Sequence, residues 1–283
     1  MIYLIDGGNR DDYSSYLREM GSIRHEIFVE TKGWTQLRSY FGIEFDQYDS
    51  ALASYLVSLD ENNRILGGLR MMPTIFGTFL GEQYSKYLYD PDYEFGADVW
   101  EMYRLFVNDS DWVSEQGHPV RRELMLSLIE FVIEQGGKKI IAVADSEMLK
   151  KLPPFWSWRE IGRRSMFKQA HAMDGEAALV EIDVDAEMLS VSKKFMNYHQ
   201  STLVRAEKVL EPRRTVMMPE DFYSLQQWLN CNEDYINIVR RVVELADTNE
   251  TYEKQLRELL LRAVREGVRP KVAGRTLEVN RLH

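Results

Sequence analysis

The sequence predicts a mixed α/β (α+β) fold: a central, largely antiparallel sheet with helices on both faces, followed by a helical carboxyl-terminal extension. Three observations lead there. Segments with a 3.6-residue apolar repeat alternate with short β-rich runs as far as Asp185, in the order helix, hairpin, strand, helix, strand, helix, strand. A long helix between two of the strands calls for a parallel pair joined by a crossover. Beyond Asp185 helical patterns dominate.

The first helix is read from "YSSYLREMGSIRHEIFVE", where Tyr16, Met20, Ile23, Ile27 and Phe28 recur at helical spacing, with Gly33 as its stop. In "ASYLVSLDENNRILGGLRMMPT", runs at Tyr55 to Leu59 and Ile65 to Met72 flank an Asp-Glu-Asn-Asn turn, which is the pattern of a hairpin ending at Pro73. An aromatic-rich connection from Ile75 to Asp98 leads into "VWEMYRLFVN". Strict alternation there puts Trp100, Met102, Arg104 and Phe106 on one face and Glu101, Tyr103 and Leu105 on the other. A helix from Arg121 to Glu134 closes at Gly136 and Gly137, and the buried strand "KIIAVAD" follows. A short helix near Ser146 to Leu152 and a strand at "AALVEIDV" complete this part. Pro212 and Pro219 mark a linker to two helical patterns, in which Leu225, Trp228, Leu229, Ile236 and Val239 have core spacing. The expected units are residues 1–204, a catalytic domain, and 205–283, a helical extension.

Composition narrows the function. The chain has 283 residues, 45% of them hydrophobic, enough for a substantial core. A formal net charge of −10 argues against general attraction to nucleic acid. Cys231, the single cysteine, cannot form an internal disulfide, and no apolar run reaches the length of a membrane span. The start "MIYLIDGGNRDD" lacks a signal-peptide core, so a bacterial cytoplasmic setting is expected. No His/Cys cluster has ligand spacing, and neither a metal nor a cofactor is expected.

Four stretches carry the chemistry: "RHEIFVETKGW" from Arg24, "EFDQYD" from Glu44, "GGLRMMPT" from Gly67 and "WEMYRLFV" from Trp100. Through them Arg24, Phe28, Trp34, Glu44, Asp46, Asp49, Arg70, Glu101 and Arg104 stand in an order and spacing that resembles the acyl-homoserine-lactone synthases, the autoinducer synthases of bacterial quorum sensing. The resemblance continues more loosely to about residue 200. It implies a GNAT-like acyltransferase fold. It also implies transfer of an acyl group from a thioester to the amine of S-adenosylmethionine, followed by lactonisation with release of methylthioadenosine.

Carried over residue by residue, Arg24, Phe28 and Trp34 resemble the family's mobile amino-terminal wall, and Asp46, Asp49, Arg70 and Arg104 its charged cluster. A sulfonium calls for an aromatic face and nearby acids, for which Trp34 and Asp46 are suited, and the substrate carboxylate calls for an arginine. Glu101 is the candidate general base, accepting the amine proton directly or through a water. For Arg24 and Arg104 the structural alternative is a buried ion-pair network with Asp46 or Asp49. The chain departs from the family pattern at Tyr103, where a small serine is common, at Tyr84, in "IIAVAD", which lacks a threonine near the acyl tail, and in its length. Tyr103, on the Glu101 face, is expected to narrow the acyl tunnel.

Between Lys138 and Lys168, the eight basic residues Lys138, Lys139, Lys150, Lys151, Arg159, Arg163, Arg164 and Lys168 face three acids, Asp145, Glu147 and Glu160. Such an excess would steer an acidic acyl carrier protein, with Lys150, Lys151, Arg159 and Arg163 as the docking residues and acyl-coenzyme A as the alternative donor. The rival readings are an N-acyl amino acid synthase on the same scaffold and a non-catalytic binding or signalling protein.

Overall fold

The computed structural model describes residues 1–164 except positions 11, 35, 36, 38, 41, 51, 109–112, 115, 116 and 154, together with residues 177–198, 201, 203–205, 271–272 and 275–276. The chain begins with β1 (Ile2–Ile5) and α1 (Ser14–Arg24), which continues as a π-helical coil over His25–Thr31. A small hairpin, β2 (Ser39–Tyr40) and β3 (Ile43–Glu44), precedes the main hairpin of β4 (Ser54–Leu59) and β5 (Ile65–Pro73). A segment of short turns, including a π-helical one at Leu80–Tyr84, leads to β6 (Val99–Val107), α2 (Val120–Glu134) and β7 (Lys139–Asp145). Then come α3 (Ser146–Lys151), β8 (Trp158–Glu160), β9 (Ala177–Asp183), α4 (Ala186–Phe195) and β10 (Leu203–Arg205). The short strands β11 (Lys271–Val272) and β12 (Arg275–Thr276) pair with each other.

Eight strands form one mixed sheet in the order β10-β1-β4-β5-β6-β7-β9-β8. The pairs β6–β7 and β1–β10 are parallel and the rest antiparallel. The expected crossover is present: α2 joins β6 to β7. The predicted class, a mixed sheet flanked by helices with one helical crossover, therefore holds. Three short strands of this sheet, β1, β8 and β10, were not anticipated from the sequence, because runs of three or four residues carry too little periodicity, while α4 falls where helical patterns were expected to begin, beyond Asp185. The helical patterns of the extension lie outside the described residues, and β10 straddles the expected boundary at 204.

Each face of the sheet has its own cover. On one side α2 packs through Val120, Leu124, Leu128 and Val132 against Ile2, Leu56, Trp100 and Ile140. Two buried acids of α2 fasten the chain that leads to β10: Glu123 accepts from the Ser114 and Tyr198 hydroxyls, and Glu130 from Lys193 and Ser201. On the other side α1 brings Tyr16, Met20 and Ile23 onto β1, β4 and β5. It can approach so closely because residue 68 is glycine; a Cβ there would sit 2.7 Å from Met20 Cε and 3.0 Å from the Leu56 carbonyl oxygen. The coil ends before Gly33, whose φ of 68° suits that residue. Leu80, Tyr84 and Leu88 cover β6, β7 and β9 on the same side, beyond α1.

One expectation about β6 fails, and the reason matters for the site. Gly68 pairs with Phe106 but Arg70 with Tyr103, so Leu69 alone faces both Arg104 and Leu105. This is a β-bulge, with Arg104 at φ 50°. The extra residue reverses the alternation: Leu105 and Val107 join Trp100 and Met102 on the α2 face, while Phe106 packs under α1. Arg104 thereby leaves the face predicted for it and stands with Glu101 and Tyr103.

Candidate active site

The strands β6 and β7 run together only from Val99 beside Lys139 to Met102 beside Ala142. Past that point they part, and a cavity of about 220 Å³ opens between them. Its floor is Glu101, Tyr103 and Arg104; its far wall is Val143 and Met148; its near wall is the coil after α1, with Phe28, Lys32 and Trp34. The sequence-predicted Glu101, Tyr103, Arg104, Phe28 and Trp34 thus meet at one opening.

Glu101 is 1% exposed. Both of its carboxylate oxygens lie 3.0 Å from the Leu80 backbone N–H, and the Thr78 and Tyr103 hydroxyls also bond to it. Burial pushes its pKa up to about 8, against the opposing pull of those hydrogen bonds and of the Arg70 charge. A carboxyl poised near neutrality is suited to taking and returning a proton. The Tyr103 oxygen also accepts the Phe79 N–H at 2.8 Å, and burial, followed by the adjacent Glu101, holds its proton well above the usual phenol range. The ring is stacked at 6.0 Å on Tyr48. Tyr103 lines the cavity, and it is also a hydrogen-bond partner of Glu101, a role its position on the strand did not reveal.

The charged residues form a closed circuit. Arg24 bonds Glu44, Glu44 bonds Arg104, Arg104 bonds Asp46, Asp46 bonds Arg70, Arg70 bonds Asp49, and Asp49 returns to Arg24. Arg24 grips Asp49 with two parallel bonds of 2.8 and 2.9 Å, and Arg70 grips Asp46 with bonds of 2.6 and 3.0 Å. Burial works against the Arg24 charge, but Asp49 and Glu44 outweigh it and raise its pKa; burial likewise opposes the Asp49 charge, and Arg24 and Arg70 hold its pKa well below the usual range. The circuit bolts the end of α1, the loop after β3, β5 and the bulge of β6 to one another. This is the structural alternative foreseen for Arg24 and Arg104, with Glu44, 1% exposed, as the acid they share.

The near wall is aromatic. Phe28, buried, and Trp34, half-buried, stack at 5.1 Å with an interplanar angle of 12°. The Lys32 ammonium stands 5.1 Å from the Trp34 centroid and 5.6 Å from that of Phe28. Its charge also lies 4.0 Å from Asp145 on the opposite lip.

The basic stretch is less positive in space than in sequence. Arg159 is answered by Glu181 and Asp183, Lys138 by Asp98, Lys139 by Glu181 and Arg164 by Glu160. Three of those acids lie outside the window counted along the chain. Lys150 and Arg163 are exposed, while Lys168 and the Lys151 side chain lie outside the described residues. Among the described residues no helix is long and apolar enough to cross a membrane.

Sequence reasoning quoted Glu44 without giving it a role and missed Tyr48, Thr78 and Lys32. Tyr48 donates to Glu82 at 2.7 Å and lies with Tyr103 under the Arg70 guanidinium. Glu44 and Tyr48 sit inside "EFDQYD", where density of polar residues was the available signal; Thr78 lies in an aperiodic connection that offered none.

The comparisons with known proteins agree with this geometry. The family model described as autoinducer synthase matches residues 9–190. The isovaleryl-homoserine lactone synthase of Bradyrhizobium diazoefficiens is 30% identical over 151 residues, 53% of this chain and 67% of its own. An acyl-homoserine-lactone synthase of Acinetobacter nosocomialis is 29% identical over 146 residues, 50% of this chain and 79% of its own. Among solved structures, the CoA-dependent acyl-homoserine lactone synthase BjaI, with SAM and isopentyl-CoA, superposes with a TM-score of 0.64 at 23% identity, over 75% of this chain and 96% of that one, a likeness of fold. The CoA-dependent acyl-homoserine lactone synthase MesI does so with a TM-score of 0.61 at 26% identity, over 74% and 100%. The chain belongs to the autoinducer synthase family and is an acyl-homoserine-lactone synthase, an acyltransferase.

Proposed function

We propose that this synthase takes its acyl group from an acyl-coenzyme A and joins it to the amine of S-adenosylmethionine, with Glu101 as the general base. The observation that carries the reading is the buried Glu101, with its pKa near 8, on the floor of a cavity walled by Phe28 and Trp34. In the first step the amine nitrogen bonds to the thioester carbonyl carbon, its proton passes to Glu101, and the carbon–sulfur bond breaks to release coenzyme A. The backbone of β6 beyond Met102, which β7 no longer pairs, offers N–H groups to the oxyanion. In the second step the substrate carboxylate attacks the carbon next to the sulfonium. That carbon–sulfur bond breaks, methylthioadenosine leaves, and the lactone closes.

Two points favour coenzyme A over the acyl carrier protein first expected. Four of the eight basic residues of the stretch, Lys138, Lys139, Arg159 and Arg164, are met by carboxylates of the same chain, and MesI is a CoA-dependent synthase. Purified enzyme given S-adenosylmethionine and matched acyl donors decides the question by mass spectrometry. Turnover with acyl-coenzyme A, release of methylthioadenosine and an acyl-homoserine lactone product are expected. Reversing Lys150 to Glu should then leave the KM for acyl-coenzyme A within about threefold, since an exposed charge contributes little. Turnover with acylated carrier protein alone would reverse the donor assignment.

A further inference from the structure

We infer that Lys32 is a specificity-determining residue of the near wall: its ammonium occupies the aromatic face that a cationic ligand uses, and must leave that face before the ligand can be seated. The inference rests on the reading that S-adenosylmethionine binds against Phe28 and Trp34. It is carried by geometry that the reading does not require.

Lys32 follows the π-helical coil directly, and Gly33, with φ of 68°, then turns the chain so that Trp34 comes back onto Phe28. The Trp34 N–H donates to the Phe28 carbonyl at 2.9 Å, which fixes that return. The lysine at the apex is thereby placed beside the stacked pair, 5.1 and 5.6 Å from the two centroids, within the range in which a cation is drawn to a ring face. Its side chain is 42% exposed and lines the cavity. At 4.0 Å from Asp145 it also reaches across the opening toward the start of α3.

A sulfonium brought to this wall meets a positive charge already in place. Two cations cannot share one aromatic face without repulsion, so binding requires the ammonium to swing out toward water. The wall therefore discounts its own affinity for a cation, and by a charge-specific amount. A ligand of the same shape with an uncharged thioether sulfur feels the loss of Lys32 far less. A lysine placed to grip a ligand carboxylate would behave in the opposite way, because its removal would weaken the charged and uncharged ligands alike.

Titration calorimetry of the full-length protein with S-adenosylmethionine and with S-adenosylhomocysteine separates these cases. In Lys32→Met, which keeps the chain length and removes the charge, the Kd for S-adenosylmethionine should fall about three- to tenfold, the range set by a partly exposed cation–ring contact. The Kd for S-adenosylhomocysteine should change by less than about twofold. Lys32→Arg, which retains a cation over the rings, should keep the parent affinities. Weaker binding of both ligands by Lys32→Met, or equal tightening of both, would overturn the inference. Failure of the parent to bind S-adenosylmethionine at all would remove the functional reading, and this inference with it.

Discussion

Glu101 is asked to be buried and to carry a charge, and those demands conflict. In an unfolded chain it titrates near 4.5; in the native site, near 8. Below the lower value both states are protonated. Between the two values only the unfolded chain releases its proton, so the stability that Glu101 contributes is lost as pH rises through about 8. Glu101→Gln should therefore be more stable than the parent at alkaline pH, as measured by thermal melts across the range, and equally stable near pH 4. Turnover should rise with pH to a limb near 8 in the parent. In Glu101→Gln it should fall at least about a hundredfold and lose that limb. Any limb that persists belongs to the substrate amine. An unchanged rate would remove Glu101 from the mechanism. Position and identity made Glu101 legible in the sequence. Its hydrogen-bonded neighbours were not, because Thr78 and Leu80 come from a connection with no repeating pattern.

At the scale of elements, the circuit of six charges decides whether the loop after β3 stays against α1, β5 and β6. Glu44 is its most buried acid. Glu44→Gln leaves Arg24 and Arg104 short of a charge in a dry setting, and should cost about 3–5 kcal/mol in urea unfolding. A loss below about 1 kcal/mol would mean that the arginines find water or other partners. The bulge in β6 explains why the face assignments were half right. Alternation holds from Trp100 to Tyr103 and fails from Arg104 on, since a left-handed residue inserted into a strand leaves no mark on hydrophobic periodicity. The strain of that conformation, on the order of 1–3 kcal/mol, is offset where the Arg104 guanidinium meets Glu44 and Asp46.

For the whole molecule, the order of the main elements and the parallel crossover were legible, because long amphipathic segments report their own type. The sheet edges were not. β1 and β10 lie side by side from nearly opposite ends of the described fold, and only tertiary packing brings them together. That pairing makes a testable boundary. A chain ending at Arg205 should keep its fold and its turnover. One ending at Phe195 loses β10 and the partners that Tyr198 and Ser201 give to Glu123 and Glu130, and should melt several degrees lower. Equal melting temperatures would place the structural boundary earlier than the strand.

A circuit that closes on itself has no end at which change can begin. Reversing any one of its six charges confronts the new group with two like neighbours, and reversing a pair only moves the conflict one place along. Arg24, Glu44, Arg104, Asp46, Arg70 and Asp49 should therefore be exchangeable only as a set or by neutral steps. A loop grafted here from another synthase would be accepted only if it brought acids at the places of Glu44, Asp46 and Asp49.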